Sequence, residues 1–234
     1  RGLGDVYKRQ MLNTNLDLAI TDYVTVDFNA IIECVDLLGG VDITITDDEA
    51  SLMIGYMKEL NELTGHNSTP PASGGTYTLD GVQACAYARI RYGGGDDYRR
   101  TERQRTVLTA MMQKAQKSNI LTLNKLINAA FGDIQTSFSN TDLLALATKV
   151  FSYDIGDTTG FPYEKTTHKY DKIGDVVIPC DLASNVTQLH QFLFNDENYT
   201  PSATVLSNSQ QIISNTGYKP VSYTHLRAHE TRSN

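Results

Sequence analysis

Arginine is missing from almost the whole body of this chain. None occurs from Met11 to Ala88, and none from Thr106 to Leu226. Apart from Arg1, Arg9, Arg227 and Arg232 near the termini, every arginine falls between Arg89 and Arg105; elsewhere lysine carries the positive charge. A basic excess is missing too. Lysine and arginine number 20 against 27 aspartates and glutamates, a formal net charge of −7. That balance argues against a general nucleic-acid binder. Cysteine is scarce: Cys34, Cys85 and Cys180 are too few and too far apart for a metal knuckle or a disulfide framework. A Cys85–Cys180 bond is left open. No apolar run approaches the ~18 residues of a membrane span, and no signal peptide is visible.

What is present fits a globular protein. The 234 residues are 40% hydrophobic and 20% charged, enough for one domain with a sizeable core or for two small ones. Residues 1–10 and 221–234 show no hydrophobic periodicity that joins them to their neighbours. They read as non-native flanks, which leaves 11–220 as the body. His225 and His229 stand at i and i+4, a metal-ligand spacing on a helix, but they lie in the flank and are set aside.

Along the body, Tyr23–Val26 reads as a strand. Asp27 caps a helix with apolar positions Phe28, Ile31, Ile32, Val35 and Leu38, ended by Gly39-Gly40. Val41–Thr46 alternates as a half-buried strand. Strand, helix and strand suggest a βαβ unit. Helices are expected from Asp47 or Asp48 to Leu63, from Val82 to Tyr87, from Asp97 to Ser118 and from Leu121 to Phe131. Further helices are expected over Asp142–Phe151, from Asp181 and over Ala203–Ser214. Asp133–Ser137 and Val176–Ile178 read as strands, and 156–172 as irregular. His190 reads as a structural residue.

The arginine-bearing stretch, YARIRYGGGDDYRRTERQR, sets six arginines against Asp96, Asp97 and Glu102, a local charge of +3. Planar five-donor guanidiniums gathered in one segment suit bidentate recognition of a small anion. If YARIRY is extended, Arg89 and Arg91 share a face ~6.6 Å apart, and Gly93–Gly95 turns the chain. In the helix that follows, the line Ala115, Met111 and Leu108 extends through Gln104 to Arg100 and Asp97. Arg99 and Arg105 then face water, and Arg103 is intermediate. Two readings stand side by side: a salt-bridge network in which Asp97 holds Arg100, and an anion site at a helix N-terminus.

The segments DYVTVDFNAIIECVDLLGGVDITI, LDGVQACAYARIRY and DDYRRTERQR, in this order and spacing, resemble the LytR–CpsA–Psr family of bacterial cell-wall phosphotransferases. The resemblance runs from about Met11 to about Phe194. It implies an α/β fold with a central mixed β-sheet flanked by helices, an α/β/α sandwich, here without its N-terminal strands. It implies a membrane-anchored protein on the extracytoplasmic face. Such a protein would move an anionic glycopolymer of teichoic acid or capsule type from a polyprenyl-pyrophosphate carrier onto peptidoglycan. The family pattern places Arg89, Arg91, Arg100 and Gln104 on the pyrophosphate, with Asp97 and Arg103 associated, and gives Arg89, Arg91 and Arg100 the catalytic charge stabilisation. An apolar pocket for the lipid, to which Phe28, Ile31, Ile32 and Val35 could contribute, is expected. Mg2+ and the membrane anchor are expected to depend on parts upstream of this chain, so the chain reads as a truncated, inactive piece of a larger enzyme. Nucleic acid is not an expected partner. A non-catalytic binder of polyprenyl phosphates or cell-wall polymer, using the same arginines, is the other reading.

Overall fold

The structure is a computed structural model that describes residues 2–91, 97–119, 121–123, 125–126, 135–153, 156–171 and 174–218. Chain contacts divide it into two compact units, one within Thr21–Gly160 and one drawn from Arg1–Ile20 and Phe161–Asn234. No shift in composition marks the division.

In the first unit, β1 (Val24–Thr25) is followed by α2 (Phe28–Leu37), β2 (Val41–Ile45), α3 (Asp47–Thr64), β3 (Gly75–Leu79), α4 (Gly81–Arg89) and α5 (Asp97–Lys117), while α1 (Gly2–Leu16) belongs to the other unit. Then come β4 (Gln135–Thr136), α6 (Asn140–Thr148) and a short 3-10 turn, Val150–Ser152. Local chemistry sets most of these ends. The Asp27 carboxylate accepts from Ala30 N and caps α2. Gly39 and Gly40, at φ +76° and +86°, take the left-handed turn that releases the chain into β2. Capping boxes open α3 (Thr46 with Glu49) and α4 (Asp80 with Gln83). β2 buries Val41, Ile43 and Ile45 and exposes the residues between, so its inner face joins the core. Ile32, Val35, Met53, Met57, Leu60, Leu79 and Ile90 complete that core. Each fully buried aliphatic contributes about 1.5–3 kcal/mol.

The α/β class holds, and the strand pairing departs from the sequence reading. β1 pairs with β4 and β2 with β3, both antiparallel, so the strand–helix–strand run at the start is no parallel crossover. Among the described residues the strands form three separate two-stranded sheets in place of one central mixed sheet. β3 was not foreseen: its sequence, GTYTL, adjoins a Gly- and Pro-rich loop, and pairing with β2 is what makes it a strand.

The second unit contains α1 (Gly2–Leu16), β5 (Lys165–Tyr170), β6 (Gly174–Pro179), α7 (Leu182–Phe194) and α8 (Ala203–Thr216). Helix α1 runs without a break across residues 10 and 11. β5 and β6 form an antiparallel hairpin, so the stretch expected to be irregular holds a strand made by its partner. The core is Leu16, Leu182, Val186, Leu189 and Val205. Asn185 is fully buried and fully used. Its Oδ1 accepts from Tyr163 N and Glu164 N, and its Nδ2 donates to Glu164 O and Asp181 O. His190 is structural: Nε2 meets Leu16 O at 2.9 Å and the ring stacks on Tyr199 at 3.7 Å. Asp17 receives hydrogen bonds from Tyr199 Oη, Ser202 N and Ser202 Oγ. Burial alone would raise its pKa, and these donors outweigh it and hold the carboxyl below its ordinary value.

An arginine at the wall of an apolar cavity

Helices α2, α4 and α5 enclose a cavity of about 480 Å³, lined among others by Phe28, Ile31, Cys85, Arg89, Gln104 and Leu108. That volume lies within the range of small-molecule sites. The approach of α4 to α2 depends on Gly81: a Cβ there would lie 2.3 Å from Ile32 O. The cavity is mostly apolar and open to water, and its lining residues Val26, Phe28 and Leu108 are 39–56% exposed. Among the described residues no disulfide links Cys34, Cys85 or Cys180. Burial pushes the Cys85 thiol up to about 11, against the lowering effect of the Arg89 charge.

Arg89 is the last residue of α4, two residues beyond the expected end of that helix. The extended reading of YARIRY is therefore corrected, and with it the strand spacing between Arg89 and Arg91. Ile90 is wholly buried and turns the chain out of the helix. The Arg89 guanidinium lies over the rings of Phe28, at 4.7 Å, and Tyr56, at 5.6 Å. Its Nη2 donates to both carboxylate oxygens of Glu59 at 3.1 Å. Its Nη1 is out of water and has no hydrogen-bond partner among the described residues.

The other expected site residues fall around this wall unevenly. Gln104 lines the same cavity. Arg91 is exposed, and its backbone N–H donates to Tyr56 Oη at 3.2 Å, so Tyr56 touches both arginine positions. Arg100 is half-buried on α5 and does not line the cavity. Asp97 is the first residue of α5; its side chain and the Gly93–Gly95 turn lie outside the described residues.

Arg103 departs from its expected intermediate placement. It is 6% exposed, donates from Nε to Glu49 Oε1 at 2.8 Å and from Nη1 to Ile90 O at 3.3 Å. These two bonds tie α5 to the start of α3 and to the end of α4. The face of α5 that enters the core runs through Arg103 and Val107, with Ala110 and Met111 packed against the core from partly buried positions. The Gln104–Leu108 line faces the cavity instead, which is why Leu108 is 56% exposed. Of the four lipid-pocket candidates, Phe28 and Ile31 line the cavity, while Ile32 and Val35 belong to the core. Glu59 and Tyr56 escaped the sequence reading. Their i, i+3 spacing on α3 was the available signal, but nothing local tied it to Arg89.

The comparisons with known proteins agree with this architecture. Residues 2–172 match the LytR_cpsA_psr family, and the chain belongs to it. It is 30% identical over 124 residues to biofilm regulatory protein A of Streptococcus mutans, covering 52% of this chain and 29% of that protein. It is 29% identical over 140 residues to the polyisoprenyl-teichoic acid–peptidoglycan teichoic acid transferase TagV of Bacillus subtilis, covering 56% and 32%. With TagT of the same organism, identity is 27% over 162 residues, covering 68% and 48%. The chain thus spans less than half the length of each of these curated relatives. Two solved structures share the fold. A transcriptional regulator from Enterococcus faecalis superposes with a TM-score of 0.63 at 19% identity, covering 90% of this chain and 72% of that one. TagT bound to LI-WTA superposes with a TM-score of 0.53 at 18% identity, covering 89% and 65%.

Proposed function

We propose that this chain carries the lipid and pyrophosphate side of an extracytoplasmic, membrane-anchored phosphotransferase. The enzyme would pass an anionic glycopolymer of teichoic acid or capsule type from a polyprenyl-pyrophosphate carrier to peptidoglycan. The observation that supports this most is Arg89, which lines a mostly apolar cavity and whose buried Nη1 has no hydrogen-bond partner among the described residues. That combination suits an amphiphile with an anionic head and a hydrocarbon tail. The transferase names of TagV and TagT support the same reading.

In this reading Arg89 and Gln104 grip the pyrophosphate from the cavity wall, and Arg91 and Arg100 add charge from the rim. An acceptor hydroxyl of peptidoglycan attacks the polymer-bearing phosphorus. The bond from that phosphorus to the bridging oxygen breaks, and polyprenyl phosphate leaves with the electron pair. The arginines stabilise the charge that grows on this leaving phosphate. The base that takes the hydroxyl proton is assigned to none of the described residues. Mg2+ is part of the proposal for the longer protein only. No three His, Cys, Asp or Glu side chains among the described residues stand together as a metal site, so no residue here is given that role. Likewise, no helix among the described residues is long and apolar enough to cross a membrane.

The test is calorimetric titration of the chain with inorganic pyrophosphate and with farnesyl pyrophosphate. Farnesyl pyrophosphate is expected to bind more tightly, and Ile31→Trp, which fills the cavity, is expected to erase the difference. Arg89→Ala should weaken both by about 10-fold or more, the loss of a charge-assisted bond. Equal affinity for the two ligands in the unaltered chain would overturn the amphiphile reading. Transfer is assayed on a longer protein with lipid-linked polymer and peptidoglycan; binding without transfer would leave a non-catalytic binder.

A further inference from the structure

Arg89 meets its counter-ion in a way that leaves the guanidinium half used. Both oxygens of Glu59 sit on the same nitrogen, Nη2, at 3.1 Å. Arginine binds carboxylates and phosphates best through two nitrogens at once, in two parallel bonds. Here the second nitrogen, Nη1, is buried and makes no bond to any described residue. Leaving a buried, charged donor unsatisfied is costly. The present pairing is therefore not the best that Arg89 can make.

Glu59 is also poorly anchored. Its side chain is 59% exposed, against 23% for Arg89, and exposed ion pairs hold weakly. The guanidinium does not depend on Glu59 for its place, because it rests over Phe28 and Tyr56. Removing the carboxylate therefore leaves the arginine where it is, with two nitrogens, Nη1 and Nη2, unused.

From this geometry we infer that Glu59 is a displaceable counter-anion of Arg89, which gives up Nη2 so that a phosphate takes Nη1 and Nη2 as a pair. The role rests on the reading of Arg89 as a pyrophosphate ligand. Its consequence is selectivity: a multiply charged phosphate outcompetes one resident carboxylate, whereas a singly charged anion does so poorly. Glu59 sets a threshold, and it does so at the expense of affinity.

The proposal predicts the sign of an effect. In calorimetric titration of the chain with inorganic pyrophosphate at low ionic strength, Glu59→Gln should tighten binding about two- to fivefold, the range an exposed ion pair supports. Glu59→Ala should do the same, and the gain should vanish when Arg89→Ala is added. A residue needed only for structure would weaken binding when replaced. If Glu59→Gln leaves the Kd unchanged or raises it while Arg89→Ala weakens binding, the counter-anion role is overturned and the pyrophosphate site stands. If Arg89→Ala has no effect, the pyrophosphate reading of Arg89 fails, and the role of Glu59 falls with it.

Discussion

Arg103 and Glu49, 54 residues apart in the chain, form an ion pair at 2.8 Å with 7% and 13% of their side chains exposed. Glu49 does two jobs there. Its Oε2 accepts from Thr46 N and completes the cap of α3, while Oε1 holds Arg103 of α5. One carboxylate thus ties the start of one helix to the flank of another.

Removing one partner of such a pair strands the other charge out of water. Glu49→Ala or Arg103→Ala is expected to lower the free energy of unfolding by about 3–5 kcal/mol, read by urea denaturation. Pyrophosphate affinity of the folded fraction should stay within about twofold, a margin of under 0.5 kcal/mol. A larger loss of binding at full occupancy of the fold would show that Arg103 touches the ligand.

Gly81 is where α4 comes against α2. Gly81→Ala would force a Cβ to 2.3 Å from Ile32 O, and backbone cannot swing aside as a side chain does. A cost of about 1–3 kcal/mol is expected, with weaker pyrophosphate binding, because Arg89 rides on α4 and Phe28 on α2. Gly55→Ala, whose Cβ meets nothing within 4 Å, is the control and should be neutral or stabilising.

The alkaline limb of stability should depend on Cys85. Burial raises this thiol from 9.0 to about 11, with the charge of Arg89 opposing. Burial and the Glu49 charge raise the Tyr87 phenol as well. A group whose pKa is higher in the folded state favours folding fully below its unfolded value, and that advantage is lost as pH rises through the folded value. Stability is therefore expected to fall between about pH 9 and pH 11, by on the order of 2 kcal/mol from Cys85. Urea titrations across that range should show Cys85→Ala flattening the decline. An equal decline in the variant would assign it to other groups.

Short-range features were legible in the sequence wherever a single local interaction decides them. Asp27 caps its helix, Gly39-Gly40 ends α2, and Val41–Ile45 alternates between core and water, each as the residue pattern implies. The pairing of strands was not legible. β3 and β5 have too little hydrophobic pattern of their own and become strands because β2 and β6 offer hydrogen-bonding edges. The α5 stripe was misjudged by one position for a similar reason. Periodicity counts apolar side chains, and Arg103 enters the core through a carboxylate supplied by α3.

Composition and order by themselves determined that this chain keeps every arginine between Met11 and Leu226 in one segment, Arg89 to Arg105, and which family it belongs to. These are properties of residue identity and spacing, and folding does not alter them. What each arginine does was decided only by the tertiary structure. Arg103 pairs with Glu49, Arg89 stands at the wall of a cavity with Nη1 bonded to no described residue, and Arg91 is exposed with its backbone N–H on Tyr56 Oη. The physical reason is that a guanidinium takes its role from the anion it meets. Glu49 and Glu59, on a helix distant in sequence, reach these arginines only once the chain has packed.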